Sequence, residues 1–255
     1  MGKNKLKKFR EMETLSCVFQ CPFGALDRTN GFPQKGHWHT EVFGNDNPIT
    51  LELGCGKGEY TVGLARRFPN RNFIGIDIKG ARIWSGATTV EREGLKNAAF
   101  LRTSIELLDH FFAPGEVAEI WITFPDPQMK KASKRLTGTR FLELYRKVLP
   151  AEGGNIHLKT DSPFLYAYTS ESVRLNRLPL LKATDDLYAD PTSDAALREI
   201  RTHYEQQWLD RGLTIKFLSF TLPQGSPLEE PDIDIPQDTY RSYSRGYIQN
   251  PQLLK

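Results

Sequence analysis

Apolar, β-rich runs alternate with helical patterns through the middle of this 255-residue chain, and that alternation constrains its fold more than any other feature. The runs that we interpret as strands are PITLELG, NFIGIDI, NAAFLRT, VAEIWITF, GNIHLKT and LTIKFLSF. Segments with helical spacing separate them, such as EYTVGLARRF, where Tyr60, Leu64 and Phe68 would share one face. Strands that alternate with helices predict an α/β domain with a parallel sheet and helices on both of its faces.

A cluster of glycines, Gly54, Gly56 and Gly58, separates the first of these strands from the first helix. Glycines let the backbone turn tightly and come close to a ligand, while the N–H groups of the helix point toward it. The same pattern is found in ordinary tight βα turns, so the glycines alone are weak evidence. Asp77 ends the next strand, where a carboxylate can accept both hydroxyls of a ribose. Together these residues favour a nucleoside-containing ligand.

The spacing of the loop and the acid before it indicate which ligand this is. The glycines follow G-x-G-x-G, which differs from the G-x-G-x-x-G of dinucleotide sites. Glu52 lies within the strand just before the loop, and a buried acid needs a partner, which a cationic ligand would supply. S-adenosylmethionine carries a sulfonium and an ammonium group and has no pyrophosphate. We therefore expect S-adenosylmethionine rather than a nicotinamide cofactor.

Two further aspartates follow strands. Asp126 comes after the fourth run and Asp161 after the fifth. Because the carboxyl ends of parallel strands meet at one edge of the sheet, we expect both to converge with Asp77 and the glycine loop on one crevice. Each aspartate has an alternative interpretation as a turn or helix cap, as in TDSPF.

Five cations follow Asp126 with no acid between them: Lys130, Lys131, Lys134, Arg135 and Arg140. Such a run is often a solvated face. Beside an acid that faces a crevice, we interpret it as a surface that holds the phosphates of a nucleic acid while Asp126 faces the reacting base.

The remaining composition excludes several classes of protein. No stretch approaches the roughly 20 apolar residues of a membrane span, and the first residues lack the apolar region of a secretory signal. The net charge is +3, too small to prove a polyanionic partner. The three cysteines favour a reduced, cytoplasmic setting.

Cys17, Cys21, His37 and His39 suggest a zinc site as an alternative, but their His-x-His spacing is tighter than usual, so we expect no metal.

Five motifs resemble those of the tRNA (guanine-N7-)-methyltransferases, which are class I S-adenosylmethionine-dependent enzymes: ELGCGKG, IGIDIK, FPDPQMKK, IHLKTD and THYE. The resemblance extends over about residues 48–220. It implies a Rossmann-like class I methyltransferase fold, with a mostly parallel seven-stranded sheet whose last strand is antiparallel. We expect a single domain over residues 1–255, with an N-terminal extension (1–47) and a Pro-rich C-terminal arm (223–255) that is extended or partly disordered. The implied reaction is methylation of guanine N7 at variable-loop position 46 of tRNA.

The resemblance also implies roles for individual residues. Asp126 would be the catalytic acid. The chain departs from the family pattern at Gln128 and Met129, where Trp-Pro is usual, and at Ser104, where an acid is usual, so the adenine end of the donor would be held differently. The donor site would comprise Glu52, Gly54, Gly56, Gly58, Asp77, Ser104 and Asp126. The RNA substrate would contact Lys130, Asp161, Thr202, His203, Tyr204 and Glu205.

Guanine N7 carries an in-plane lone pair, so no proton has to be removed before it attacks a methyl group. Catalysis can then consist mostly of positioning, with a carboxylate placed to stabilise the charge that develops on the ring. Asp161 or Glu205 would accept the N1–H and N2–H of guanine, while Asp126 contacts the base or orients the donor. Three alternatives stay open: a methyltransferase of a small molecule or another RNA, a nicotinamide oxidoreductase, and a non-catalytic RNA-binding protein on the same fold.

Overall fold

An eight-stranded sheet organises the computed structural model, which describes residues 2–21, 24, 26 and 31–239. Its strands are Val18–Gln20 (β1), Ile49–Leu53 (β2), Asn72–Asp77 (β3), Ala98–Arg102 (β4), Glu119–Thr123 (β5), Gly154–Thr160 (β6), Leu180–Thr184 (β7) and Lys216–Leu222 (β8). The α-helices are Gly2–Met12 (α1), Glu59–Arg67 (α2), Gly80–Glu93 (α3), Leu108–Phe111 (α4), Thr139–Arg146 (α5), Pro163–Leu175 (α6), Ala195–Glu199 (α7) and His203–Leu209 (α8). Trp38–Phe43 forms a π-helical segment, and Ile105–Leu107 and Ala132–Lys134 form 3-10 turns.

The strands lie in the order β1-β4-β3-β2-β5-β6-β8-β7. Neighbours from β1 to β6 are parallel, and β8 is antiparallel to both β6 and β7. Strands β2 to β8 therefore form the expected seven-stranded sheet with an antiparallel last strand. The chain runs outward from β2 to β3 and β4, then returns to β5 on the other side of β2. The topological switch point, where ligands bind in such sheets, thus lies between β2 and β5.

The central strands explain the apolar runs of the sequence. Every residue of β2, β3 and β5 is buried, because helices cover both faces of the sheet. One apolar core lies under α4, α5, α6 and the π-helical segment, and a second lies under α1, α2 and α3. Among the described helices, none has both the length and the apolar character that crossing a membrane requires.

The N-terminal extension contributes the eighth strand, which was not predicted. Val18 of β1 pairs with Phe100 of β4, in parallel. Further along, Trp38 is fully buried and its indole N–H donates to the carbonyl of Phe111 at 2.9 Å. These contacts attach the extension to the edge of the sheet.

Beyond β8, residues 223–239 form neither helix nor strand and follow the surface of α5 and α6. Arg146 donates to the carbonyls of Pro223 and Ser226, both at 2.9 Å. The described part of the C-terminal arm is therefore extended and hydrogen-bonded to the domain. Residues 240–255 of the expected arm lie outside the described residues.

Candidate active site

A crevice of about 510 Å³ opens at the carboxyl ends of β2, β3, β4 and β5. This is the switch point of the sheet, and the volume lies within the range that holds small ligands and cofactors. The residues that line it follow the four strands in turn: Leu53 and Gly54; Asp77, Ile78, Lys79 and Arg82; Thr103, Ser104, Ile105 and Glu106; and Phe124, Pro125, Asp126 and Gln128. Lys134, Leu136 and Phe141 complete the wall.

The glycine loop and Asp77 form one hydrogen-bonded unit. Asp77 Oδ2 accepts the N–H of Gly56 at 3.0 Å, and its Oδ1 accepts the N–H of Lys79 at 2.7 Å. Gly54 borders the crevice with φ +76°, which a residue with a Cβ rarely adopts. Gly58, the residue before α2, has φ +72°, and a Cβ there would lie 2.5 Å from the ring of Phe100. Gly54 is thus placed for close approach to a ligand, whereas Gly58 is required by packing.

Glu52 is buried beneath this loop and does not line the crevice. Its Oε2 accepts the backbone N–H of Thr61 at 2.8 Å and the hydroxyl of the same residue. Its Oε1 accepts the hydroxyl of Thr123 at 2.7 Å. Burial raises the pKa of Glu52 to about 7. The partner expected for this acid is supplied at least in part by two threonines, which tie β2 to α2 and β5. Its contact with a donor stays a prediction.

Two hydroxyl residues follow β4 at the crevice. Ser104 lines it as predicted, and the neighbouring Thr103 does too. The Thr103 Oγ1 is buried and has no hydrogen-bond partner among the described residues. A buried hydroxyl without a partner is uncommon, and a polar ligand atom would satisfy it. The sequence did not single out Thr103, because a threonine at a strand end carries no distinctive signal.

Asp126 is exposed at the rim of the crevice, after β5. Its Oδ1 accepts the N–H of Gln128 at 2.9 Å. Phe124 and Gln128 on either side have φ values of +48° and +47°. Such values are sparsely populated for residues other than glycine and persist where surrounding contacts enforce them. The loop after β5 therefore holds its carboxylate in a specified position.

Asp161 is buried at the end of β6 and does not line the crevice. Ser162, the next residue, is the N-cap of α6, where its hydroxyl accepts the N–H of Leu165 at 2.9 Å. Asp161 thus follows β6 at the carboxyl edge of the sheet, but it is buried within the protein, and its expected convergence with Asp126 and Asp77 on one crevice is wrong.

The THYE motif begins α8 and divides into two pairs. Thr202 and Glu205 form a capping box, in which each side chain accepts the backbone N–H of the other. His203 and Tyr204 are exposed, and the His203 N–H donates to Glu59 Oε2 at 3.0 Å, at the start of α2. The exposed pair is accessible to a macromolecule, whereas Thr202 and Glu205 stabilise the start of the helix.

Glu205 is also half of a fully buried ion pair. The ammonium of Lys159 lies 2.7 Å from Glu205 Oε1, and the Tyr188 hydroxyl donates to the same oxygen at 2.9 Å. Burial lowers the pKa of Lys159, and the Glu205 carboxylate counteracts part of that effect. Recognition of guanine by Glu205 would require this pair to open, and it stays a prediction.

Comparisons with known proteins identify the family. A family model described as "Putative methyltransferase" matches residues 46–218. A tRNA (guanine-N(7)-)-methyltransferase of Porphyromonas gingivalis is 65% identical over 239 residues, which cover 92% of this chain and 97% of the relative. Proteins with the same name from Bacteroides fragilis and Christiangramia forsetii are 59% and 50% identical, over 96% and 87% of this chain and 96% and 99% of their own. This chain belongs to the tRNA (guanine-N7-)-methyltransferase family.

Solved structures support the fold of this family member. The 16S rRNA methyltransferase KamB is similar, with a TM-score of 0.53, 14% identity, and coverage of 72% of this chain and 92% of its own. An antibiotic-related methyltransferase gives a TM-score of 0.52 at 16% identity, covering 71% and 90%. At these identities the likeness shows the fold alone, which is that of class I methyltransferases.

The cations after Asp126, interpreted together as a phosphate-binding surface, have different environments in this family member. Lys134 and Arg140 pair with Glu106 at 2.9 and 3.2 Å, and Lys134 lowers the pKa of Glu106. Lys130 and Lys131 are exposed. Phosphate binding by these two lysines stays a prediction, and the paired cations are only partly available to a phosphate.

Arg135 corrects that interpretation. Its side chain is buried, and it donates to the carbonyls of Gln128 at 3.2 Å and Met129 at 2.9 Å. Its guanidinium lies over the rings of Phe164 and Tyr168. Arg135 therefore supports the loop after β5 from beneath and does not face a nucleic acid.

The alternative zinc site has no counterpart in the part of the chain that the structure describes. No group of three metal-ligating side chains occurs there. Cys17 lies against α3, where its thiol donates to the carbonyl of Ala87 at 3.6 Å.

Proposed function

We propose that this chain transfers the methyl group of S-adenosylmethionine to N7 of a guanine in tRNA, at position 46 of the variable loop. One observation carries the proposal. In a member of this family, a crevice of nucleoside size ends at an exposed carboxylate, Asp126, with the exposed Lys130 and Lys131 following it. We also propose that it acts in the cytoplasm, where its buried thiols would stay reduced.

The residues of the crevice fit S-adenosylmethionine. The Asp77 carboxylate keeps lone pairs for the ribose hydroxyls beyond those used by Gly56 and Lys79. Ile78 is 62% exposed, which is unusual for its type and offers apolar surface to a purine ring. The Thr103 hydroxyl lacks a partner, and together with Ser104 it would contact the adenine edge in place of the usual acid. When bound, the donor supplies an electrophilic methyl group on its sulfonium.

Asp126 would stabilise charge instead of acting as a base. Guanine N7 needs no deprotonation, and the purine becomes cationic as it is methylated. A carboxylate held in advance by the Gln128 N–H lowers the energy of that cationic ring without having to reorganise. The remaining contribution is positioning of the base against the donor.

The RNA would lie across the rim of the crevice. Lys130 and Lys131 would contact phosphates, and His203 and Tyr204 present an imidazole and a 40%-exposed ring beside the start of α2. Asp161, Thr202 and Glu205 are buried, so we propose that they shape the RNA surface from beneath unless binding exposes them.

The experiment is methyl transfer from radiolabelled S-adenosylmethionine to an unmodified tRNA transcript, with the label mapped by N7-directed strand cleavage. The matched control is a transcript in which adenine replaces the variable-loop guanine. Label at that guanine, and none in the control, is the expected result. Label at another nucleotide would refute the site within tRNA. Donor binding without transfer to any tRNA would refute the proposal and favour another substrate.

A further inference from the structure

The C-terminal arm reaches the proposed RNA surface along a fixed path. Leu228 N–H donates to Glu143 at 2.8 Å, and Glu229 exchanges two hydrogen bonds with Asn176, at 2.7 and 2.9 Å. The Glu230 carboxylate then accepts from the hydroxyls of Thr139 at 2.8 Å and Tyr168 at 2.6 Å. The arm is thus attached to α5 and α6 over successive residues before it arrives at the site.

Asp238 is the point where the arm enters the protein, and it is buried. Its Oδ1 accepts the N–H of Phe164 at 3.0 Å, and its Oδ2 accepts the hydroxyl of Ser162. The carboxylate therefore lies at the N-terminus of α6, where the unpaired N–H groups and the helix dipole favour a negative charge.

The backbone of the same residue contacts the other loop of the site. Asp238 N–H donates to the sulfur of Met129 at 3.1 Å. Met129 directly precedes Lys130, and Ser162 directly follows Asp161. One residue of the arm thus joins the loop after β5 to the loop after β6, both of which carry residues assigned to RNA binding.

The loop after β5 needs such support. Gln128 has a positive φ, and its carbonyl and that of Met129 are held by Arg135 from beneath. Asp238 supplies a second contact to the same loop. A strained loop that is fixed on both sides presents Asp126 and Lys130 in one arrangement, which is the preorganisation that charge stabilisation requires.

We propose that Asp238 is a positioning residue for methyl transfer. It ties the loops after β5 and β6 together, and so fixes the RNA surface of the site without touching the donor or the base. The inference rests on the proposed function for its kinetic consequence. The arm itself lies beyond residue 218, where the match to the family model ends.

The test compares three variants of the full chain. Asp238→Ala removes the carboxylate that holds the arm to Ser162 and Phe164, and leaves the backbone N–H that contacts Met129 without that anchor. Glu230→Ala removes two of the hydrogen bonds that attach the arm to the domain, those from Thr139 and Tyr168, so it reports what loosening the arm does alone. Asp234→Ala removes the same charge from an exposed position on the same arm. Asp238→Asn, which keeps an acceptor for the Phe164 N–H, serves if the alanine variant folds poorly.

Amide hydrogen exchange gives the readout that is independent of activity. We expect peptides covering residues 124–132 and 160–166 to exchange about tenfold faster in Asp238→Ala than in Asp234→Ala. Glu230→Ala should accelerate exchange in the arm and leave these two loops near the wild-type rate. Unchanged loops in Asp238→Ala, or equal changes in Glu230→Ala, would overturn the proposal.

Kinetics then separate positioning from general stability. Asp238→Ala should lower kcat/KM for tRNA by about 10- to 100-fold, since small misplacements of a reacting group have effects of that size. The dissociation constant for S-adenosylmethionine should stay within about twofold of wild type, because Asp238 does not line the donor crevice. If Glu230→Ala lowers kcat/KM for tRNA by the same factor, the loss in Asp238→Ala comes from a loosened arm alone, and the proposal is overturned. If the wild-type protein methylates no tRNA, the proposed function fails, while the exchange experiment still decides whether Asp238 ties the loops.

Discussion

The two sides of the crevice are held together in different ways. On the donor side, formed by the ends of β2, β3 and β4, the contacts of Asp77 are short in sequence, although Glu52 beneath the loop also reaches Thr123, 71 residues away. Asp77 accepts the N–H of Gly56, 21 residues away, and the N–H of Lys79, two residues away. On the RNA side, formed by the loops after β5 and β6 and the start of α8, Arg135 is a local support of Met129, but another support comes from a distant part of the chain. Asp238 lies 109 residues beyond Met129.

This difference shows that the sequence determines the structure of the two sides in different ways. Two short motifs, ELGCGKG and IGIDIK, encode most of the donor side, because its turn geometry and the hydrogen bonds of Asp77 arise within and between them. The RNA side has its exposed groups in short motifs, and buried groups support them from beneath: Arg135 under the loop after β5, Lys159 of the IHLKTD motif under α8, and Asp238 on the arm. Substitutions that affect only tRNA use should therefore include buried residues outside the motifs, such as Arg135 and Asp238.

The largest effect should come from Lys159, whose ion pair supports α8 on the RNA side. Lys159→Met would leave the Glu205 carboxylate buried without its counter-charge, and we expect the free energy of unfolding to fall by about 3–5 kcal/mol. The double variant Lys159→Met/Glu205→Leu removes both charges and should recover most of that loss. Urea unfolding measures both. A single variant as stable as wild type would show that the pair is dispensable.

Asp126 lies where the donor side and the RNA side meet. Its replacement therefore tests whether methyl transfer can be impaired while donor binding is kept. In Asp126→Asn the side-chain oxygen still accepts the Gln128 N–H, and only the charge is lost. We expect kcat to fall by roughly 100- to 1,000-fold, the usual effect of removing one electrostatic group from a site. Donor affinity, measured by calorimetry, should change little. Asp232→Asn, exposed on the arm, is the control, and equal rates in the two variants would contradict the assigned role.

A similar contrast, between the central strands and the edge strands, explains which strands could be predicted from the sequence. Six strands were predicted because buried parallel strands are continuous apolar runs, and β2, β3 and β5 are buried throughout. β7 was missed because it is an edge strand, with Leu180 and Leu181 exposed. β1 is three residues long, too short for a periodic signal, and it is defined by its pairing with β4.

At the site, residue type predicted position only where the contacts are local. Asp77, Gly54, Ser104 and Asp126 line the crevice as expected from their places at strand ends. Arg135 was expected to face phosphates, but aromatic rings from α6 and two loop carbonyls bury it. Asp238 gave no sequence signal, since its partners are more than 70 residues away, at Ser162, Phe164 and Met129.

On the donor side, Glu52 should make stability depend on pH. Burial raises its pKa from 4.5 to about 7 in the folded protein, whereas the unfolded chain titrates near 4.5. Its stabilising contribution is therefore fully present below about pH 4.5 and is lost as pH rises through about 7. Relative to Glu52→Gln, the wild type should lose roughly 2 kcal/mol between pH 5 and pH 8. Urea midpoints at several pH values test this, and a difference independent of pH would contradict it.

Thr103 tests the donor side with a smaller effect. Thr103→Val keeps the shape and removes a hydroxyl that has no partner among the described residues. We expect the affinity for S-adenosylmethionine to fall by about fivefold, equivalent to about 1 kcal/mol, with no loss of folding stability. Thr103→Ser retains the hydroxyl and should bind like wild type. Calorimetry on both variants decides, and equal affinity of the valine variant and wild type would exclude a hydrogen bond to the donor.

The smallest effect should come from Lys130 and Lys131, which we propose contact the RNA only through charge. Replacing both with alanine should weaken tRNA binding by a few-fold and reduce the slope of log affinity against log salt by about 1.5, since each phosphate contact contributes about 0.7–0.9. Lys134→Ala is the matched control, because that lysine is already paired with Glu106 and should change the slope less. Filter binding at several salt concentrations measures the slopes. If Lys134→Ala reduces the slope more than the double variant does, the phosphates lie over Lys134 and Arg140, which pair with Glu106. The RNA side would then extend toward the donor crevice.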